Sequence, residues 1–340
     1  MRINEKIVYK IPTSIYVIFF AISIILTMIA YGFSAYIDKI EVGDVADWYH
    51  TVINICPQIL KISEFKGKWI FIVFTVISGI LLIIRRFYKE KIYVISHQSM
   101  AYDLAEVDGN FKKKYSLRKH ALQQVNFIHS DEVDYQVIRD IDKMAIEAQK
   151  SQLPIAYYGI AHTPFVFRLG YKIGDQNNVI LLHKKRNNSS LFEEWKNEKS
   201  GIKIVCSESN VSKKSDELIV AISTSLKIER NHLCMLHPNN KHILFFEANY
   251  MDFDSIISYE DAETLRTDIL FNIREVVKKY GIKKIHMVIS SSVAFTFFLA
   301  QGYSAQHDPE IIVYHYEQGN YPWGINMSKN AELSYVKNYI

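Results

Sequence analysis

Three consecutive serines, Ser290, Ser291 and Ser292, stand where a strand-like apolar run changes into a helix-like run. At the start of a helix the first backbone N–H groups lack intrahelical partners, and the helix dipole has its positive end there. Both properties favour a phosphate group, and three hydroxyls add hydrogen-bond donors without adding bulk. We therefore predict that this turn contacts a phosphate or a nucleotide, whereas an ordinary helix N-cap needs only one of the three serines.

The segment that carries the serines occurs twice in the chain. Sliding the sequence by 132 residues places the Gly-Tyr pair at 170–171 on the pair at 302–303, and residues 179–183 on residues 311–315, without a gap. The same offset aligns the strand before the turn and the helix before that strand. One offset that holds across helix, strand, helix and strand predicts the internal duplication of one supersecondary unit.

The first copy has a different turn, which offers His162 and Thr163 for ligand contact. A histidine at this place can also be a structural hydrogen-bonding residue. Aromatic residues follow the last strand of the second copy, where their rings can stack on bases or simply pack beneath a loop. The full set of predicted ligand-binding residues is Ser290, Ser291, Ser292, His162, Thr163, Tyr158, Tyr321, Trp323 and Lys184.

No motif typical of a catalytic centre is present. His232, Cys234, His237 and His242 are residue types that bind metals, but their spacing matches no common zinc pattern. Alternation along a hairpin would also divide them between two faces. We therefore predict no catalytic residue, no metal and no cofactor, and we expect that the protein is not an enzyme.

The composition limits the class of protein. A chain of 340 residues allows about two domains at ~150 residues each. The net charge of +4 is mild, so we expect no nucleic-acid polymer as a partner. The cysteines Cys56, Cys206 and Cys234 are widely spaced, which indicates neither a disulfide framework nor a structural zinc site.

Two uncharged apolar runs near the N-terminus predict membrane-spanning helices at residues 13–37 and 69–84. A signal peptide is the alternative for the first run, and a buried core helix is the alternative for the second. Basic residues precede the first run and follow the second, so both termini are predicted to be cytoplasmic.

The predicted domain organisation follows from these runs. It comprises a cytoplasmic N-terminus at 1–12, a two-span hairpin at 13–84, a linker at 85–130 and a C-terminal domain at 131–340. The two halves of this C-terminal domain are placed at about 131–205 and 258–330, with an insertion between them. A basic cluster in the linker, at 112–119, either leans on anionic headgroups or is a solvated face.

Periodicity predicts the elements of the C-terminal part. Helices are predicted at 135–150 and 261–279, and the second of these is capped by Ser258 and ended by Gly281. The predicted strands are at 92–95, 155–158, 203–206 and 218–222, and a hairpin is predicted between 234–236 and 242–246.

At residues 290–292, 302–303, 311–315 and 321–323 the chain resembles the SAVED domain of bacterial CBASS antiphage systems. The resemblance implies a soluble α/β domain of two fused CARF-like, Rossmann-type halves, which the duplication would produce. With the two predicted spans in front, the chain resembles the transmembrane SAVED effectors.

The resemblance also implies a function. An effector of this kind binds a cyclic oligonucleotide, most often a cyclic trinucleotide, made by a partner nucleotidyltransferase. Binding is expected to assemble a homo-oligomer whose hairpins disrupt the inner membrane, leading to abortive infection. The alternatives are a membrane-tethered nuclease that degrades cyclic oligonucleotides, a CARF-like receptor for CRISPR-made cyclic oligoadenylate, and a membrane-anchored scaffold with a degenerate ligand fold.

Overall fold

The computed structural model describes residues 89–338, except 103, 124–127, 130–131, 134, 176–178, 185–190, 197–198, 210–214 and 305, together with the helical residues Val76, Ile77, Gly79 and Ile80. The predicted N-terminus 1–12, the span 13–37 and the connecting residues 38–68 lie outside the described residues, as does most of the span 69–84. Within the described part of the chain, no helix is both long enough and apolar enough to cross a membrane.

The elements of the first half follow one another in chain order. They are β1 (Glu90–Gln98), α1 (Gly109–Lys114), β2 (Tyr115–Gln123), β3 (Ile128–His129), β4 (Glu132–Val133), α2 (Tyr135–Lys150), β5 (Ile155–Ile160), α3 (Thr163–Ile173), β6 (Val179–Lys184) and β7 (Phe192–Glu194).

The second half continues in the same way. Its elements are β8 (Ile204–Ser209), β9 (Glu217–Ser223), two 3-10 helices (Arg230–Leu236 and Pro238–Asn240), β10 (His242–Ala248), α4 (Tyr259–Tyr280), β11 (Lys284–Ser290), α5 (Val293–Gln301), β12 (Glu310–Glu317), β13 (Asn320–Asn326), α6 (Ala331–Ser334) and β14 (Tyr335–Lys337).

Each half has its own sheet, and the two sheets repeat one arrangement. The first has the strand order β2-β1-β5-β6-β7, and the second has the order β14-β13-β12-β11-β9-β10-β8. In the first sheet β2, β1, β5 and β6 are parallel and β7 is antiparallel. In the second, β10, β9, β11 and β12 are parallel in the corresponding order and β13 is antiparallel. The second sheet adds β8 and β14 at its edges.

The pairing of strands shows that the repeat is longer than the sequence indicated. Tyr93 pairs with Ile155, and Val220 pairs with Met287, which is the residue 132 positions after Ile155. Strands β1 and β9 are therefore equivalent at an offset of 127 rather than 132 residues. Because the offset changes here, a single ungapped shift of the sequence could not detect this part of the repeat.

Strands β1 and β2 lie in the segment 85–130, which was predicted to be a linker, but they are part of the first sheet. Ile92, Val94 and Ile95 of β1 have no solvent exposure, because β1 lies between β2 and β5. The first half therefore begins near Glu90, and the second half includes β9 and β10, which precede its predicted start at 258.

The two long helices agree closely with their predicted positions. The side chains of α2 that face the core are spaced as in an amphipathic helix. Helix α4 begins after Ser258, whose hydroxyl accepts a hydrogen bond from the N–H of Asp261 at 3.4 Å. It ends at Gly281, which has the left-handed φ of 65° that favours glycine. The predicted cap residues of α4 are confirmed.

The predicted hairpin between residues 234–236 and 242–246 is wrong. The first of these segments belongs to a 3-10 helix, in which Leu233 and Leu236 are both buried. A spacing of three residues places both leucines on one face of such a helix. Strand β10 instead pairs in parallel with β9 and antiparallel with β8.

The two halves pack against each other through the equivalent helices α3 and α5. At Gly170 of α3 a Cβ atom would lie 2.4 Å from the carbonyl oxygen of Phe297 in α5, so the backbones approach too closely for any side chain. The ring of Phe297 also stacks on Tyr157 of β5, with the ring centroids 4.2 Å apart. One continuous hydrophobic core therefore runs through both halves.

A buried arginine adds a polar connection between the halves. The Arg168 side chain in α3 has no solvent exposure and forms two hydrogen bonds with the carboxylate of Asp142, at 2.8 and 2.7 Å. It also donates to the backbone carbonyls of Asn326 at 3.0 Å and Lys329 at 3.1 Å. These contacts join α2 and α3 to the end of β13 and to the segment that follows it.

Candidate functional site

The turns that precede α3 and α5 lie on one cavity. Ser292 is the N-cap of α5, and its hydroxyl accepts a hydrogen bond from the N–H of Phe295 at 3.2 Å. Thr163 is the first residue of α3 and is followed by Pro164, a residue suited to the first turn of a helix. Because each turn follows the carboxyl end of a parallel strand, two helix N-termini are directed to the same place. The N-terminus of each helix carries a partial positive charge.

The cavity has a volume of about 770 Å³ and is lined by both halves. This volume is in the usual range for a small-molecule site, ~300–1,000 Å³. Small and apolar side chains such as Ala161 and Ala294 form much of its wall. Its polar lining residues are Thr163, His183, Lys184, Asp254, Ser291 and Ser292.

A histidine and an aspartate form a close pair in this cavity. Nε2 of His183, near the end of β6, lies 2.7 Å from Oδ1 of Asp254 in the loop after β10. The side chains are 11% and 20% exposed. This pair connects a residue of the first half with one of the second.

The three serines have separate roles. The Ser290 hydroxyl accepts a hydrogen bond from the N–H of Leu226 at 3.0 Å, so it holds the loop after β9 and is not among the cavity lining. The Ser291 hydroxyl accepts from Oγ1 of Thr224 at 2.7 Å, and Ser292 caps α5. Only Ser291 and Ser292 are therefore placed to meet a ligand in this cavity.

His162 and Trp323 lie together, but in a closed cluster rather than in the cavity. Nδ1 of His162 is 2.7 Å from the hydroxyl oxygen of Ser99, and the His162 ring contacts His315 with centroids 4.5 Å apart. Trp323 packs against both imidazoles. Desolvation lowers the pKa of His162 to about 4, and mainly the same effect lowers the pKa of His315 to about 3, so both rings are neutral at pH 7.

Tyr158 and Tyr321 lie apart from both groups. Tyr158 has no solvent exposure and packs against Phe192, with centroids 4.8 Å apart. Tyr321 is 2% exposed and contacts Tyr316. The structure thus brings together four predicted residues, Thr163, Lys184, Ser291 and Ser292.

Three residues of the cavity were missed by the sequence reasoning. His183 had a usable signal, because the offset of 132 residues aligns it with His315 in the second copy. Asp254 was hidden by the wrong hairpin, since its position depends on the parallel pairing of β10 with β9. Tyr102, which is 66% exposed, follows β1 in the predicted linker.

The fold and this cavity define a class of α/β protein with two repeated halves and a ligand-sized cavity between them. A family model described as the "SMODS-associated and fused to various effectors sensor domain", abbreviated SAVED, matches residues 135–327. This match covers more than half of the chain, and the protein therefore belongs to the SAVED family.

The chain is similar to solved structures at low sequence identity. The Acinetobacter baumannii Cap4 SAVED/CARF-domain containing receptor with the cyclic trinucleotide 2'3'3'-cAAA matches with a TM-score of 0.50 and 13% identity, over 80% of this chain and 62% of that chain. The same receptor with the cyclic trinucleotide 3'3'3'-cAAA matches with a TM-score of 0.48 and 13% identity, over 78% of this chain and 60% of that chain. The Moraxella osloensis Cap4 SAVED/CARF-domain containing receptor matches with a TM-score of 0.42 and 12% identity, over 75% of this chain and 58% of that chain. This chain therefore spans about three fifths of their length. No curated protein matches the sequence.

Proposed function

We propose that this protein is a receptor that binds a cyclic oligonucleotide in the cavity between its two halves. The observation that carries the proposal is the meeting of two helix N-termini, at Thr163 and Ser292, with Lys184 on one cavity. A cyclic oligonucleotide has one negative charge for each phosphodiester, and these three groups suit such charges. Membership of the SAVED family supports the proposal, as do the Cap4 receptors with bound cyclic trinucleotides.

The asymmetry of the site favours a cyclic trinucleotide. His315 is the residue 132 positions after His183, but it faces the closed cluster with His162 and Trp323 instead of a cavity. The position of His183 in the first copy therefore lies on a cavity, whereas the equivalent position of His315 in the second copy is occupied by packed rings. Uniform cyclic di- and tetranucleotides have a twofold axis, whereas a cyclic trinucleotide has none. A site without twofold symmetry is better matched by the trinucleotide.

The proposed output is at the membrane. A partner nucleotidyltransferase makes the ligand during phage infection, and binding promotes association of several copies of the chain. The predicted hairpins of 13–84, brought together in the bacterial inner membrane, then disrupt it and cause abortive infection. The sensor half of the chain is cytoplasmic in this proposal. Ligand can drive the change only by binding the assembled state more tightly than the single chain.

Two substitutions of equal size test the site. Asp and Asn both replace Ser as helix N-caps, so Ser292→Asp and Ser292→Asn are each expected to preserve α5. The aspartate places a negative charge where a phosphate is proposed. Two charges about 5 Å apart at an effective dielectric of ~20 repel by about 3 kcal/mol, which weakens binding roughly 100-fold.

The measurement is calorimetry on the full-length protein in detergent, with a panel of cyclic di-, tri- and tetranucleotides. We expect binding of a trinucleotide by the unchanged protein and by Ser292→Asn, and strong loss of binding in Ser292→Asp. Absence of binding by every member of the panel removes the proposal. Equal binding by the two variants removes the assignment of Ser292.

The output is tested with anionic vesicles that contain the full-length protein and a trapped dye. Ligand is expected to release the dye, and Ser292→Asp is expected to prevent the release. Vesicles that bind ligand but stay intact would support the scaffold alternative. Chromatography of the ligand after incubation is expected to recover it unchanged, whereas its breakdown would support the nuclease.

A further inference from the structure

The acidic residue in the cavity is unexpected for a site that holds phosphates. Among the described residues that line the cavity, Asp254 is the one carboxylate, and it faces the same space as Lys184 and the serine turn. A carboxylate repels the backbone of any oligonucleotide. It is compatible with such a ligand where it meets a part of the ligand that donates hydrogen bonds.

Nucleobases supply such donors. An ionised carboxylate can only accept hydrogen bonds, and the exocyclic amines of adenine, guanine and cytosine donate them. We propose that Asp254 recognises a nucleobase of the bound ring by accepting a hydrogen bond from its exocyclic amine, with His183 as the positioning residue. This inference rests on the proposed function, because it assigns base selectivity to the same cavity.

The carboxylate is held in place by its own loop. The N–H of Asp254 donates to Oδ1 of Asp252 at 2.8 Å, and the N–H of Asp252 donates to the carbonyl oxygen of Thr224 at 3.2 Å. The hydroxyl of Ser255 donates to the same carbonyl at 3.1 Å. His183 then fixes the side chain from the opposite half at 2.7 Å. A recognition group with this support keeps its geometry without the ligand.

Thr224 connects Asp254 with the turn of Ser291 and Ser292, which is proposed to contact a phosphate. The backbone carbonyl of Thr224 accepts hydrogen bonds from the loop that contains Asp254, and the side-chain hydroxyl of Thr224 donates to the hydroxyl of Ser291 at 2.7 Å. The group proposed to contact a phosphate and the group proposed to contact a base are therefore set at a fixed separation. This arrangement suits a ligand in which a base and a phosphate are themselves held at a fixed separation by a ring.

An aromatic surface is available for the flat face of the base. Tyr102 lines the cavity and is 66% exposed, so its ring is accessible to a ligand. Exposed aromatic rings in nucleic-acid sites stack on bases without selecting among them. Stacking on Tyr102 would hold the base plane, and Asp254 would provide the selection.

The test compares two cyclic trinucleotides that differ by one group per base. One carries three adenines, and the other carries three purines that lack the 6-amino group. Calorimetry uses the full-length protein in detergent, with the variants Asp254→Ala and Asp268→Ala. Asp268 is an exposed acid of α4 outside the cavity lining, so its replacement changes the net charge equally.

The unchanged protein and Asp268→Ala are expected to bind the adenine ring about 10- to 100-fold more tightly than the ring without amines. Asp254→Ala is expected to bind both rings with similar affinity. If the unchanged protein binds both rings equally, the base inference is overturned and the proposed function stands. If the preference survives in Asp254→Ala, the assignment to Asp254 is overturned. If neither ring binds but another member of the cyclic-nucleotide panel does, the base inference is overturned and the proposed function stands. If no member of the panel binds, both proposals fail.

Discussion

Replacing Arg168 by methionine (Arg168→Met) tests whether the buried arginine holds the two halves together. The substitution keeps a long unbranched side chain but removes the guanidinium, which has no solvent exposure. It leaves the Asp142 carboxylate and two backbone carbonyls, of Asn326 and Lys329, without the donor that they share.

The expected loss of stability follows from these contacts. Removing one partner of a buried ion pair typically costs about 3–5 kcal/mol. Two carbonyls left without a donor account for roughly 2 kcal/mol of this even at the lower end of their range. The Asp142 side chain is 26% exposed and regains some hydration, which argues for the lower part of the range. For a folded part of this size, 3–5 kcal/mol corresponds to a fall in Tm of roughly 6–20 °C.

Thermal melts of the full-length protein in detergent measure the effect, and Arg139→Met is the matched control. Arg139 also joins the first half to the C-terminal segment, with its Nε 2.9 Å from the Glu332 carboxylate. Both of those side chains are about half exposed, at 53% and 51%, so the control is expected to lower Tm much less than Arg168→Met does. If Arg168→Met lowers Tm no more than Arg139→Met does, the reasoning about the buried bridge is refuted.

Three further predictions concern the helix contact, the cavity and the histidine cluster. Gly170→Ala is expected to lower the free energy of unfolding by about 2 kcal/mol, because the new Cβ would lie 2.4 Å from the Phe297 carbonyl oxygen. Lys184→Gln is expected to weaken binding of a cyclic trinucleotide about 10-fold in calorimetry without a change in Tm, because it removes a charge-assisted contact. The depressed pKa values of His162 and His315, about 4 and 3, make the folded state favour neutral rings. Stability is therefore expected to be complete above pH ~6.5 and to fall as the pH decreases toward 4, as followed by Tm.

Each of these predictions has a control. Gly109→Ala is expected to leave Tm nearly unchanged, since no atom lies within 4 Å of the added Cβ. Lys203→Gln, at an exposed site outside the cavity lining, is expected to bind ligand normally. His286, whose pKa is also lowered to about 4, contributes in the same pH range, so the informative quantity is the difference between the unchanged protein and His315→Phe. An unchanged pH dependence in His315→Phe would contradict the assignment to this cluster.

The elements that the sequence predicts well are those set by local patterns. The Ser258 cap, the Gly281 end and the apolar spacing of α2 depend on residues within a few positions of one another. The pairing of β10 with β9 depends on a connection that crosses the sheet, and no local pattern records it. For the same reason β1 was recognised as a short strand, but its membership of the first sheet was not.

The sequence predicts those residues of the site whose position depends only on where a parallel strand ends and the next helix begins. Ser291, Ser292, Thr163 and Lys184 meet because each lies at the carboxyl end of a parallel strand or at the start of the next helix. Tyr158 was predicted to contact the ligand but does not line the cavity. Successive side chains of a strand point to opposite faces, and those of β5 are buried on both faces. The order of residues in β5 does not show which face is nearer to a cavity.

The equivalent histidines of the two copies differ mainly in the side chain that each of them contacts. His183 and His315 occupy equivalent places in the two copies. His183 meets the carboxylate of Asp254, and this polar pair remains at the wall of a cavity. His315 meets the neutral ring of His162, and among the described residues its Nδ1 is buried without a hydrogen-bond partner. Burial keeps His315 neutral, which allows Trp323 to pack on it and fill the space. A duplicated fold can therefore acquire a single asymmetric site by changing the partner of one imidazole, without changing the strand order of either half.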